Sequence, residues 1–137
     1  MTGTISTEQA LIYTMVTMSG VEGRINSIEL AEIGHIVKHL PAFRHFDDAR
    51  LTTVAQEVGE ILAEPEGLKA VLGLVKEALS PKLRETAYAL AVEVAASDMA
   101  VGKKELRFLA ILRDTFELDK LVTAAIERSA IARYQTE

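Results

Sequence analysis

A chain of 137 residues that is 49% hydrophobic has the size of one ordinary domain and enough apolar material for a sizeable core. Its net charge of −5 argues against a phosphate-backbone partner, and the absence of cysteine removes disulfides, thiolate metal sites and thiol redox chemistry. No apolar run approaches the roughly 20 residues of a membrane span and no basic-then-apolar leader is visible, so the expectation is a soluble, cytoplasmic protein.

Seven helical segments and no strand are predicted. The first covers about residues 7–19, opened by Ser6 and Gln9 at capping-box spacing and striped with Leu11, Met15 and Met18. The second covers about 27–40. Asn26 is its N-cap, Glu29 completes a capping box, and Leu30, Ile33, Ile36, Val37 and Leu40 form its apolar face. Pro41 ends it, and Phe43 and Phe46 in the following link are expected to plug the bundle. Asp47 or Asp48 caps a third segment running to about residue 63. Pro65 is read as the start of a fourth, about 65–79, with Leu68, Val71, Leu72, Val75 and Leu79 inward.

Ser80-Pro81 opens the fifth, to about residue 97. It is nearly apolar from Tyr88 to Ala96 and is therefore expected to be the most buried helix, with Leu90, Ala91, Val94 and Ala95 in the core. Gly102 begins the sixth, with Leu106, Leu109, Leu112 and Phe116 inward. Asp119 caps the seventh, with Leu121, Val122, Ala125 and Ile126 inward.

One stretch occurs twice. Glu22-Gly23-Arg24-Ile25-Asn26-Ser27-Ile28-Glu29-Leu30 aligns without a gap on Asp98-Met99-Ala100-Val101-Gly102-Lys103-Lys104-Glu105-Leu106. At the same offset Ile12 matches Tyr88, Val16 matches Val92, Ile33 matches Leu109 and Leu40 matches Phe116. This predicts an all-α compact bundle of about seven helices with an internal helix-loop-helix repeat, a single domain over 1–137 with halves about 7–63 and 81–133 and a connector helix about 65–79.

The acid pairs in the two copies are the leading chemical candidates. Glu22 with Glu29, helped by the side-chain oxygen of Asn26, could reach one hard cation, and Asp98 with Glu105 repeats the arrangement. Glu29 is equally accounted for as a capping-box glutamate, whereas Gly102 has no side chain to reciprocate with Glu105. The first loop is expected to contribute more to a cation site, because Gly23 adopts a positive φ more readily than Met99 and because Lys103 and Lys104 oppose a cation beside Glu105. Lys103, Lys104 and Arg107 form a small basic patch.

His35 and His39 have the spacing of a zincin pair, but Ile36 stands where the motif requires glutamate, so surface histidines are the default and no catalytic role is expected. No nucleophile elbow, phosphate loop or dinucleotide fingerprint is present. The chain is not expected to be an enzyme. A metal-dependent enzyme built on Glu32, His35 and His39 is the least supported reading, after a cation-binding module and a purely protein-interaction domain.

Paired repeats, each with an acid, a loop and Glu-Leu opening a helix, resemble the TerB family of tellurite-resistance proteins. The resemblance covers about residues 8–133. It rests on Glu22-Gly23 with Glu29, on Ala95-Ala96-Ser97-Asp98 with Glu105, on the segment from Pro81 through Ala96, and on Ile126-Glu127-Arg128. It implies a seven-helix fold with approximate two-fold symmetry and a role in tellurite resistance and stress response. It also implies acidic residues holding a divalent cation (calcium, zinc or manganese are the candidates). The expected partners are other tellurite-resistance or membrane-associated proteins, so the protein would be cytoplasmic or peripheral to the inner membrane. The chain departs from the family pattern at Glu22, where aspartate is usual, and at Met99, where glycine is usual. Without cysteine or a redox-cofactor motif it is a poor reductase by itself, which points to a binding or scaffold module.

Overall fold

The computed structural model describes residues 4–21, 25–97 and 101–137. Among these residues the protein is all-α, with seven α-helices, two 3-10 turns and no strand: α1 (Thr7–Gly20), α2 (Ser27–His39), α3 (Leu51–Leu62), α4 (Gly67–Ala78), α5 (Pro81–Ser97), α6 (Lys103–Phe116) and α7 (Lys120–Arg133). The helices form a compact bundle around one aliphatic core.

The N-terminal signals act as local chemistry requires. The four leading N–H groups of a helix lack intrahelical partners and need side-chain acceptors. At α1 the Gln9 N–H donates to Ser6 Oγ at 3.1 Å, and the Ser6 N–H donates back to Gln9 Oε1 at 2.9 Å. At α2 the Glu29 N–H donates to Asn26 Oδ1 at 2.8 Å and the Asn26 N–H to Glu29 Oε1 at 2.9 Å. Asp47 Oδ1 accepts from the Ala49 N–H at 3.1 Å in the 3-10 turn Asp48–Arg50 that leads into α3. Asp119 sits at the N-cap position of α7 but makes no side-chain capping bond. Pro41 begins the other 3-10 turn, Pro41–Phe43, which buries Phe43 edge-on against Phe46 with ring centroids 6.1 Å apart.

Helix α4 starts later than Pro65 suggests. Pro65 lies in the turn, and the first helical residue is Gly67. The cause is a close backbone approach: a Cβ on Gly67 would lie 2.2 Å from the carbonyl oxygen of Ile61, so the chain reverses between α3 and α4 around a residue without a side chain.

The central helix is α1, not α5. Every residue from Ala10 to Met18 is buried, on all sides of the helix. The reason is its neighbours: α1 packs against α2, α3, α4 and α5, whereas α5 packs against α1, α6 and α7. Leu90, Ala91 and Ala95 of α5 are in the core, joined by Ala87, Tyr88 and Val92, while Val94 is half-buried.

Three apolar faces are turned differently from the expected ones. Leu68 of α4 is exposed. In α6, Leu106 is 56% exposed, and Glu105 and Phe108 are buried together with Leu109, Leu112 and Phe116. In α7, Leu121 is 80% exposed and Ala125 is exposed, whereas Thr123 and Ala130 are buried. Residue type alone does not orient a helix whose inner face also carries polar partners, as that of α7 does.

Candidate functional site

Of the five residues read as cation ligands, Asn26, Glu29 and Glu105 are described; Glu22 and Asp98 lie outside the described residues. Asn26 and Glu29 are brought together by their reciprocal cap. Glu105 plays the matching part at α6: its Oε1 accepts from the Gly102 N–H at 2.7 Å, half of a capping box, since Gly102 has no side chain to return the bond. Glycine at the cap withholds the reciprocal bond, as expected, but leaves Glu105 its own capping bond. A carboxylate needs only the backbone N–H three residues back, which glycine also has.

Both glutamates thus hold one oxygen at the positive end of a helix dipole, where an anion is stabilised and a cation is opposed. Among the described residues no three His, Asp or Glu side chains converge as a metal site. Glu32, one turn beyond Glu29, accepts a bond from the Ser97 hydroxyl at 3.0 Å and so ties α2 to the end of α5.

The principal polar cluster lies elsewhere, where α5, α6 and α7 meet. The Tyr88 ring is fully buried, and its hydroxyl donates to Glu127 Oε2 at 2.5 Å and accepts from Arg113 at 2.7 Å. Arg113 also pairs with Glu127 at 3.1 Å. Burial pushes the Tyr88 phenol up to about 12, with the Glu127 hydrogen bond adding to the rise and Arg113 opposing it. One helical turn further along α5, Glu93 accepts from the Tyr134 hydroxyl at 2.5 Å and pairs with Arg133. The Tyr134 phenol is raised to about 12, chiefly by the Glu93 bond and then by burial. These residues were not legible as a site. The available signal was a tyrosine inside an apolar helix, because a buried phenol needs a polar partner.

A groove of about 610 Å³ runs beside this cluster, within the size range of binding sites. Its lining includes Ala95 and Ala96 of α5, Leu106 and Arg113 of α6, and Glu127 and Ile131 of α7. Val101, Leu106 and Ile131, exposed by 41%, 56% and 51%, all line it. Lys103, Lys104 and Arg107 are exposed on the same helix as Leu106. A second, more acidic depression of about 760 Å³ lies at the α3–α4 turn, with Glu57, Glu60, Glu64 and Glu66 around it.

No protein-family model, curated protein or solved structure matches the chain. No described helix is long and apolar enough to cross a membrane.

Proposed function

We propose that this chain is a non-enzymatic stress-response module of the TerB type, a scaffold that docks a partner segment in the groove between α5, α6 and α7. The observation that supports this reading is the clustering of Val101, Leu106 and Ile131 at one groove. Exposed apolar side chains scattered singly need no explanation, whereas several lining one concavity mark a contact surface. The small side chains of Ala95 and Ala96 in its lining leave room for a bulky apolar side chain, and the basic residues of α6 favour an acidic amphipathic segment.

Deleting the chain from its host is expected to lower tellurite tolerance, and wild-type protein to restore it. A folded Leu106→Glu, Ile131→Glu double variant should restore much less. Equal tolerance with and without the chain would remove tellurite resistance from the proposal, and full rescue by the double variant would remove the groove.

A divalent cation at the acid loops, held by Glu22, Asn26, Glu29, Asp98 and Glu105, is a second reading. It rests on the acid pair that recurs in the two copies of the sequence repeat. Glutamine keeps the capping oxygen and loses the charge. Glu29→Gln and Glu105→Gln should therefore preserve the fold while weakening calcium or manganese binding in calorimetry. Unchanged heats in both variants would leave these two glutamates as helix caps only.

A further inference from the structure

We propose that His35 and His39 form a two-histidine site on α2 for a borderline transition-metal cation such as Zn²⁺ or Ni²⁺, independent of the acid loops. Residues four apart in a helix stand one above the other on the same face, and their side chains lean toward the preceding turn. The two imidazole rings accordingly lie with centroids 4.3 Å apart, tilted by 39°. Two nitrogens bound at ~2.0–2.1 Å to one tetrahedral cation are separated by ~3.3 Å, a spacing within reach of two imidazoles one helical turn apart. Both residues are exposed and open to a hydrated ion.

A hydrogen bond decides which nitrogen of His39 is offered. His39 Nδ1 lies 2.7 Å from the His35 carbonyl oxygen. A carbonyl can only accept, so Nδ1 carries the proton and the lone pair of the neutral ring is on Nε2. A ligating histidine usually has its other nitrogen fixed in this way, which holds the ring and raises its basicity. Imidazole nitrogen selects zinc, nickel and copper over calcium and magnesium, which prefer oxygen.

His45 provides the contrast. Its Nε2 is 3.3 Å from Arg44 Nε, which donates to it, so that lone pair is engaged and a guanidinium stands beside it. Lys38 and Asp48, of opposite sign, share a hollow with His35, and Glu32 stands three residues before His35 on the same helix. With two protein ligands, the other coordination positions belong to water or to an added ligand, in keeping with the absence of any three-residue metal cluster among the described residues.

The test is calorimetric titration of the full chain with ZnCl₂, alongside NMR of the histidine ring protons. One Zn²⁺ per chain is expected, with the His35 and His39 signals shifting and the His45 signals unmoved; calcium should shift none of them. His35→Ala and His39→Ala should each weaken binding by at least about tenfold, because the second imidazole binds intramolecularly at high effective concentration. Both positions are exposed, so circular dichroism should stay that of wild type. His45→Ala and the Glu29→Gln, Glu105→Gln double variant should bind Zn²⁺ as wild type does. Zn²⁺ binding that survives in His35→Ala and His39→Ala, that is lost instead in the glutamine variant, or that is absent from wild type at millimolar zinc would overturn the proposal.

Discussion

Replacing Tyr88 by alanine is expected to destabilise the protein by about 3–5 kcal/mol, the range for removing a large buried aromatic ring. The ring is wholly inside the core, and its hydroxyl is the point where α5 is joined to α6 and α7. A domain of this kind has roughly 5–15 kcal/mol of total stability, so the loss would consume a large part of it. Tyr88→Phe separates the two contributions. It keeps the ring and removes only the hydroxyl, while Arg113 and Glu127 remain paired with each other. Its cost should be about 0.5–1.5 kcal/mol, the net value of an ordinary hydrogen bond.

The pH dependence of the same pair of proteins is a sharper readout. The Tyr88 phenol rises from 10.0 to about 12 on folding, so the folded chain holds the proton more tightly than the unfolded chain. Stability falls with pH wherever the native state binds more protons. The Tyr88 contribution is therefore complete below pH 10 and is lost progressively as pH rises toward about 12. Urea unfolding at pH 8 and pH 11 should show a smaller alkaline loss in Tyr88→Phe than in wild type. Identical losses in the two proteins would mean that the phenol titrates no differently when folded.

The second large effect is expected at Gly67, and its cause is purely steric. An alanine Cβ there would lie 2.2 Å from the Ile61 carbonyl oxygen, 2.7 Å from Leu62 Cα and 2.9 Å from the Leu62 carbonyl carbon. All three are backbone atoms, so no side chain can swing aside and the α3–α4 turn itself must open. Overpacking typically costs about 1–3 kcal/mol, and contact with fixed backbone places Gly67→Ala near 3 kcal/mol. That corresponds to a fall in Tm of about 10 °C for a domain of this size.

Gly73 supplies a control of opposite sign within the same helix. Nothing lies within 4 Å of the position its Cβ would take. Gly73→Ala should stabilise by about 0.5–1 kcal/mol, because alanine loses less backbone entropy in a helix. Calorimetric melting of both variants tests the argument, and two substitutions with the same sign would refute it.

The sequence by itself determined where most of the helices begin, α4 being the exception. Ser6 with Gln9 and Asn26 with Glu29 are three residues apart, and a bond of that span depends on nothing beyond its own turn. Pro41 and Ser80-Pro81 marked helix boundaries for an equally local reason, the fixed φ and missing N–H of proline. Even the half-cap at Gly102 follows from local rules once the backbone N–H is counted as the partner of Glu105.

The tertiary structure decided which side of each helix is inside. α1 and α5 are both apolar nearly all round, and only the number of helices against each makes α1 central. On α7, the bond between Tyr88 and Glu127 and the contact between Tyr134 and Glu93 turn one face of the helix to α5, leaving Leu121 in solvent. Those partners are distant in sequence, and hydrophobicity read along one helix carries no information about a polar group on another. The His39 proton lies between these cases: the four-residue spacing made the ring pair possible, and the 2.7 Å contact with the His35 carbonyl selected which nitrogen remains to bind.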